Sequence, residues 1–487
     1  MYKYILIVAG ILASGILTAQ NEVDALRYSF TDFNGSARYT GMAGSMGALG
    51  GDLSAIYGNP ASIAVYRSSE FSLSPGISIN NSEAVHYGTT MSDSKLNFNL
   101  GNLGFALAFP GREGSKIKYS HFGVNYNRIQ EFQNNYSIQG TNSASSLSDV
   151  FANQANGLDF NNFQNELPFT SFLAWETFLI NPTGATNEYV SEFPGGELEQ
   201  IKYIETKGRV SQTDLAFGLN YDDRLHAGAS IGLTGIQYTE ESTYRELIRE
   251  DYANDQLEDW TYLEELETSG TGINFNIGLI YKITDAIRLG GAWHSPTYFY
   301  ELEDIWRSSL STNFQGGESY SQNSPDGFNI YNLRTPSRYQ ASIAYVLGKK
   351  GLINIDYESV NYAGSKLNPS QNSPADFTFA NEEISKQYQQ ANNIRIGGEY
   401  RFLPLSVRAG FAYYENPFQE NIATQSPERL IIAAGLRFKL SAWSYFDFAL
   451  KHTRFENDLY LYDPALVQAT SLRHENNTFR FTYGTRF

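Results

Sequence analysis

The strongest constraint in the sequence is an alternation of apolar with polar or small residues at a period of two. Every second residue from Ile273 to Tyr281 ("INFNIGLIY") is apolar, and the residues between them are two asparagines, a glycine and an isoleucine. The pattern recurs at Arg395–Phe402, Leu405–Tyr413 and Leu430–Leu440. Such alternation predicts β-strands with two unlike faces. A soluble β-sandwich gives the same pattern, so alternation alone does not decide between a soluble and a membrane sheet.

The lengths of the connections favour the membrane sheet. Tight links join strands into pairs, and long polar segments separate the pairs. Short turns at one end and long loops at the other are typical of transmembrane β-barrels, and closure satisfies the sheet edges. We therefore predict an all-β fold, a closed antiparallel transmembrane barrel. The tight links are Asp222–Arg224, Thr284-Asp285, Gly348–Gly351, Leu403-Pro404 and Ser441–Trp443, and the long segments are Tyr136–Glu205, Thr239–Glu267, Asp304–Thr335 and Ala363–Gln390.

We predict about fourteen strands in a barrel domain spanning residues 70–487, an even number as bacterial barrels require. Both chain ends then lie on the periplasmic side, with the long loops outside the cell. The last predicted strand, His474–Phe487, ends in an aromatic residue. This ending resembles the assembly signal of bacterial outer-membrane barrels, and it implies that Phe487 contacts the barrel-assembly machinery.

The first residues predict a secretory signal peptide, Met1–Ala19. Lys3 precedes an apolar run from Ile5 to Leu17, and small residues then offer a cleavage site near Ala19. Beyond this point no apolar run approaches the roughly 20 residues that cross a bilayer as a helix, which excludes a helical membrane protein.

Composition removes several function classes. The chain has no cysteine, which excludes thiolate metal sites and cysteine nucleophiles. Its net charge of −17 argues against nucleic acid as a partner. The six histidines are scattered and show no metal-ligand spacing. We expect a protein that is not an enzyme and needs no cofactor or metal.

A small-residue segment near the N-terminus carries the family resemblance. Ser36–Ala64 ("SARYTGMAGSMGALGGDLSAIYGNPASIA") resembles the N-terminal region of the FadL/TodX family of outer-membrane transporters for long-chain fatty acids and other hydrophobic compounds. The resemblance implies that residues 20–69 form a hatch inside a fourteen-stranded barrel. Small residues suit a segment that packs tightly against inward side chains. The matching hatch residues are Gly50, Gly51, Asp52, Asn59, Pro60 and Ala61.

Other stretches are similar to bacteroidete members of this family, often called hemin receptors; they are Ile204–Arg209, His294–Thr297, Asp356–Tyr362 and Asn416–Phe418. The resemblance implies a Gram-negative outer-membrane location, a monomer surrounded by lipid, and passive uptake of a hydrophobic ligand such as a fatty acid. Three alternatives stay open: a FadL-like component of a type IX-like secretion system, a receptor for hemin or hydrocarbons, and a polar-solute porin. Nothing in the sequence singles out an axial ligand for hemin.

The long insert 136–205 contains an apolar cluster at approximately helical spacing. The cluster is either the small core of an extracellular loop or, as the resemblance implies, a groove that captures lipid tails. Its members are Phe169, Phe172, Leu173, Trp175, Phe178 and Leu179.

Two further features are relevant to transport. The alternation slips by one residue at Gly101-Asn102, which predicts a bulge or kink in the wall. A carboxylate ligand also needs a cation, and arginine presents a fork suited to carboxylates. Each candidate arginine is also explained by a salt bridge in the lumen, with Glu399 or Asp447 for example. The candidates are Arg38, Arg395, Arg408, Arg437 and Arg480.

Overall fold

The structure is a computed structural model that describes residues 22–192, 197–248, 257–371, 373, 375–419 and 427–487. The predicted signal peptide, Met1–Ala19, lies outside the described residues. None of the described helices has the length and apolar character needed to cross a membrane.

The chain folds into a closed antiparallel β-barrel with fourteen wall strands, which confirms the predicted fold class. The last strand pairs with the first, from Glu70 opposite Arg486 to Val85 opposite Ser471, so the ring has no free edge there. The strands are β1 (Glu70–His86), β2 (Thr89–Pro110), β3 (Ile117–Glu131), β4 (Asn134–Asn142), β5 (Ile180–Pro182), β6 (Tyr189–Ser191), β7 (Leu198–Tyr221), β8 (Leu225–Ile248), β9 (Leu257–Lys282), β10 (Ile287–His294), β11 (Tyr298–Phe314), β12 (Ser319–Asn323), β13 (Gly327–Arg334), β14 (Arg338–Leu347), β15 (Gly351–Asn361), β16 (Lys366–Pro369), β17 (Gln390–Phe402), β18 (Leu405–Tyr414), β19 (Arg429–Lys439), β20 (Ser444–Leu459) and β21 (Thr470–Arg486).

The helices lie at the N-terminus and in the outer connections. They are α1 (Glu22–Ser29), α2 (Ala37–Gly41), α3 (Ala55–Gly58), α4 (Leu147–Ala155), α5 (Phe163–Glu166), α6 (Ser171–Glu176) and α7 (Thr378–Gln387), with 3-10 turns at Pro60–Val65, Phe160–Asn162 and Tyr362–Gly364.

Several wall strands are interrupted, so that two separate segments together occupy one strand position in the barrel. β10 and β11 both pair with β9, and they are separated by Ser295-Pro296-Thr297. β13 and β14 are likewise separated around Pro336. Proline has no N–H to give to the ladder, which explains both breaks. β3 and β4 are likewise two segments of one interrupted wall strand, and so are β15 and β16.

The polarity of the two faces of the wall is the reverse of that in a soluble sheet. Outward side chains on β9 are apolar and exposed, with Ile273 at 44% and Leu279 at 53% relative exposure. Inward residues are polar and buried, such as Asn276 on the same strand. An exposed apolar band over a polar interior fits a lipid environment outside and a filled, polar lumen inside.

The strand ladder of the wall is interrupted beside β2, where side chains make the link instead. Asn99 donates to Glu131 of β3 at 3.1 Å, and Asp93 accepts from the Ser137 N–H of β4 at 2.6 Å. The β1–β2 register shifts at Gly101, because Ser74 lies opposite Asn102 while Pro75 lies opposite Leu100. β3 pairs with β2 only between Asn102 and Pro110, and β4 pairs with β7 instead. The part of β2 before Asn102 therefore has a strand partner only on its β1 side within the described chain.

The outer ends of several strands extend further than the sequence pattern predicts. The acidic segment 239–267 is mostly strand, since β8 runs to Ile248 and β9 begins at Leu257. In these extensions both faces of the sheet are polar or packed against the insert, so the alternation that marks the membrane band is weak. The insert between β4 and β7 forms a second apolar core on these extensions, around Trp260 and Leu310.

Candidate functional site

The N-terminal segment, residues 22–66, lies against the inner face of the wall. α2 contacts β18, β19, β20 and β21, while the 3-10 turn Pro60–Val65 contacts β3, β7, β8 and β9. A Cβ atom added at Gly397 or Gly410 would lie 2.5 Å from backbone atoms of Met42 or Ala43. Backbone thus packs directly on backbone, which only glycine in the wall permits.

The residues predicted to form the hatch hold the segment in a compact shape. Gly50 and Gly51 have φ angles of +64° and +68°, which favour glycine. Asn59 caps the following 3-10 turn by accepting from the Ala61 N–H at 3.0 Å, and Pro60 occupies the first position of that turn. The Asn59 amide also donates to Gly47 O at 2.7 Å and to Leu279 O of the wall at 3.2 Å.

Asp52 connects two parts of the segment. Its carboxylate accepts from Ser36 Oγ at 2.8 and 2.9 Å and from the Ser54 N–H at 3.0 Å. Burial raises the pKa of Asp52, and the charge of Arg38 and the hydrogen bond from Ser36 oppose the rise without cancelling it.

Four of the five arginines predicted to bind a carboxylate already pair with acidic side chains. Arg408 lies between Glu399 and Asp447, at 2.8 and 3.3 Å. The remaining pairs are Arg38 with Glu399 at 3.1 Å, Arg437 with Asp447 at 2.7 Å, and Arg395 with Glu358 at 3.6 Å.

Arg480, the fifth candidate, is placed differently. It is buried, and it donates to Asn99 Oδ1 at 2.7 Å. Its guanidinium also occupies the notch left by Gly101, where a Cβ atom would lie 2.3 Å from Cζ. Arg480 thus supports the bulge, and none of the five arginines lines the large inner cavity described next.

A cavity of about 470 Å³ lies between α1 and the inner wall. Its lining mixes aromatic and aliphatic side chains with polar and charged ones, including the carboxylates Asp32, Glu131, Glu240 and Glu475. One side is formed by Gln130 and Glu131, where β3 ends beside the part of β2 that pairs only with β1. Two lining cations are paired: Lys451 with Asp32 at 2.5 Å, and Arg27 with Asp24 at 2.6 Å. The principal apolar lining residues are Val23, Leu26, Phe30, Phe132, Tyr136, Ile204, Tyr238, Phe418, Phe455, Leu459 and Leu472.

Arg429 is the cation in this cavity that sequence reasoning missed. Its Cζ lies 3.8 Å from the centre of the Phe30 ring and 4.4 Å from that of Phe455. It forms no ion pair or hydrogen bond through its side chain with the described residues. Two aromatic faces hold the guanidinium, and its N–H donors stay available to a ligand.

The predicted capture cluster is largely the core of the insert. Leu173 and Leu179 are fully buried, whereas Phe178 is exposed. Phe169 lines a groove of about 250 Å³ with Tyr262 and Trp306. Of the six predicted residues, Phe169 therefore has a place on an outer groove. Among the described residues, no group of His, Asp and Glu side chains suits a metal ion.

Comparisons with known proteins agree with this architecture. A sequence model of the family described as outer membrane protein transport protein (OMPP1/FadL/TodX) matches residues 29–460. Comparison with curated protein sequences gives no match. The barrel resembles the crystal structure of a Pseudomonas aeruginosa FadL homologue, with 13% identity, a TM-score of 0.54, and coverage of 94% of this chain and 100% of that one. It also resembles the Pseudomonas putida toluene transporter TodX, with 14% identity, a TM-score of 0.53, and coverage of 94% and 99%.

Proposed function

The chain belongs to the OMPP1/FadL/TodX family of outer-membrane transport proteins for hydrophobic compounds, and from that premise we propose that it takes up long-chain fatty acids by passive diffusion. The observation that carries this choice is the inner cavity with Arg429 at its wall. Apolar lining alone would suit any hydrophobic compound. Arg429 forms no ion pair with the described residues, and the lining carboxylate Asp32 is bonded to Lys451 instead, so the guanidinium favours an acid as ligand.

The energetics of the cavity suit an acyl chain. Each methylene group removed from water contributes about 0.8 kcal/mol, so part of a long chain inside the cavity gives useful affinity without specific contacts. A hydrogen bond to a charged group adds about 1.5–3 kcal/mol. In our proposal Phe30 and Phe455 hold Arg429 in place while its free N–H groups bind the carboxylate.

The proposed path has three stages. The outer groove beside Phe169 and Trp306 captures the acyl chain from the outside. The ligand then enters the inner cavity. It leaves sideways into the membrane next to β2, where the wall lacks a strand pair before Asn102. Supporting this exit, the end of β3 at Glu131 borders both the cavity and the gap.

The N-terminal segment would serve as the hatch of this pathway. It contacts wall strands on opposite sides of the lumen and is almost entirely buried from Phe33 to Tyr66. We propose that it blocks the straight route to the periplasm, so that only ligands able to leave sideways pass. A polar-solute porin would need that straight route open.

Aromatic hydrocarbons are the second candidate class, because related channels are described as toluene transporters. A hydrocarbon has no use for an unpaired cation, so Arg429 separates the two. A secretion-system role would need a protein-docking surface instead of a lipid path.

The test measures oleate binding and uptake by wild type and by Arg429→Leu. We expect the variant to bind oleate about 10- to 100-fold more weakly, with binding of methyl oleate unchanged because the ester carries no charge. The matched control is Arg334→Leu, since Arg334 also stacks on an aromatic ring, that of Tyr298 at 5.9 Å, but is exposed and does not line the cavity. If the protein takes up toluene, and Arg429→Leu leaves the binding and uptake of oleate unchanged, the fatty-acid proposal is rejected. If a strain that lacks this protein takes up oleate normally but fails to secrete proteins, a transport function is rejected.

A further inference from the structure

A second cavity, of about 360 Å³, opens at the short-turn end of the barrel. Its lining comes from the turn Leu403-Pro404, the turn Ser441–Trp443 and Arg486 at the end of β21. In outer-membrane barrels the short turns lie on the periplasmic side. This cavity therefore lies at the periplasmic mouth, and Arg38 of the N-terminal segment lines it from within the barrel.

The charge of this cavity is opposite to that of the whole chain. Five cations line it against one carboxylate, Glu399, in a chain with a net charge of −17. Two further carboxylates sit behind the lining, where Asp447 accepts from Arg437 and Glu70 accepts from Arg486, both at 2.7 Å. An excess of positive charge is left at the mouth. The lining cations are Arg38, Arg401, Arg437, Lys439 and Arg486.

Three cations of this group are accessible, and one of them, Arg486, is 41% exposed but bonded to Glu70 at 2.7 Å. Arg401 pairs with Glu399 at 2.8 Å, but its side chain keeps about a third of its exposure, 34%. The Lys439 ammonium is exposed and makes no hydrogen bond or ion pair with the described residues. Arg401 uses Nε and Nη2 for Glu399, so Nη1 and the Lys439 ammonium can reach an incoming anion without breaking the buried network around Arg408.

The rim of the cavity is apolar and faces outward. Leu403 and Trp443 line the cavity and are also 81% and 60% exposed. A cationic hollow bordered by exposed apolar side chains fits an amphiphile with an anionic head. Arginine binds phosphate through two N–H groups, and lysine adds a point charge.

We propose that this mouth binds the phosphate headgroup of an anionic phospholipid of the periplasmic leaflet, with its acyl chains lying against Leu403 and Trp443. Arg401 and Lys439 are the residues that contact the phosphate. The site is independent of the proposed fatty-acid route, because it shares no lining residue with the inner cavity. Free inorganic phosphate has the same chemistry as the headgroup but lacks the chains.

The test is native mass spectrometry of the purified barrel with phosphatidylglycerol, comparing wild type with the double variant Arg401→Gln/Lys439→Ala. Each cation near a membrane surface contributes roughly a fivefold change in binding, so the double variant should bind about 25-fold more weakly. Trp443→Ser should also weaken lipid binding, while inorganic phosphate at millimolar concentration should not displace the lipid.

Lys349→Ala is the matched control, because Lys349 is an exposed lysine in another short turn at the same end and does not line the cavity. An equal loss of lipid in this control would show non-specific charge attraction and overturn the proposal. Displacement by inorganic phosphate, with no effect of Trp443→Ser, would identify a free-anion site and would also overturn it. Unchanged binding by the double variant would reject the assigned residues.

Discussion

Gly397→Ala tests whether the N-terminal segment closes the lumen. A Cβ atom at this position would lie 2.5 Å from Met42 O and 2.9 Å from Met42 Cβ, well inside the 3.4 Å at which ordinary contact begins. The atom in the way is backbone, so rotation of a side chain cannot relieve the clash. Either the wall or the segment must move by about 0.9 Å, and overpacking of this kind costs about 1–3 kcal/mol.

Gly398→Ala is the matched control. The next residue along β17 points outward, where the nearest atom to a new Cβ is Leu352 O at 3.6 Å. Both substitutions gain the same preference of alanine over glycine in a strand, about 0.5–1 kcal/mol, so this term cancels when the two variants are compared. The remaining difference isolates the contact with Met42.

The expected result is a leak that is specific to Gly397→Ala. Each change of about 1.4 kcal/mol alters an equilibrium constant tenfold. A clash that costs 1–3 kcal/mol therefore raises the population of a displaced segment about 5- to 150-fold. Uptake of a small polar antibiotic by cells that express each variant measures this population, and the heat-modifiable band on a gel reports whether the barrel is folded. Equal permeability for both variants, with both barrels folded, would refute the argument that Met42 and its neighbours seal the lumen.

Three further outcomes follow from the charged and polar groups. Asp447→Asn removes a carboxylate from buried Arg408 and should destabilise the barrel by about 3 kcal/mol, read as a lower temperature of gel conversion; an unchanged temperature contradicts the burial argument. Glu246→Leu removes the acceptor of several buried donors, among them the Tyr244 Oη–H and the Trp260 Nε1–H, and should let chymotrypsin cut the insert while the barrel stays folded. Burial raises the pKa of Asp52, so the native state takes up a proton at a higher pH than the unfolded chain. Wild type should therefore gain stability relative to Asp52→Asn as the pH falls from about 7 to about 4. A stability difference between the two proteins that stays constant over that range would contradict this expectation.

The sequence predicted the parts of this fold that depend on neighbours along the chain. The alternation predicted which residues face the lipid, and the turn lengths predicted which end of the barrel is periplasmic and which is extracellular. The slip at Gly101 was visible because a bulge changes the phase of the pattern on its own strand. These features need no knowledge of what lies across the lumen.

Arg429 could not be found in that way. It begins β19, and its environment comes from Phe30 in the N-terminal segment and Phe455 on β20. The arginines chosen from the pattern were those on clearly inward positions, and inward positions are where partners such as Glu399 and Asp447 also lie. Burial in a low-dielectric interior favours paired cations, so an inward-facing position by itself points to a salt bridge. An available cation is recognised only when its neighbours in space are known.

The contacts of the N-terminal segment also determine which part of it can respond to a ligand. Around Gly47 the segment is fixed by directional bonds, since the Asp356 carboxylate accepts from the Met46 N–H at 3.0 Å and from the Gly47 N–H at 3.2 Å. Displacing this region would leave a buried carboxylate without two of its donors, which costs several kcal/mol. α1, by contrast, lines the inner cavity with Val23 and Leu26, and its first residue accepts hydrogen bonds from the end of α7 and the residue after it rather than from the wall. α1 contacts the wall through Arg27, which lies 4.3 Å from the Tyr238 ring and 3.8 Å from Glu240. A ligand in the cavity therefore contacts a part of the segment that lacks the backbone-to-carboxylate bonds found around Gly47. If the proposed sideways route opens on ligand binding, we expect the shift at α1, and we expect the region around Gly47 to stay in place.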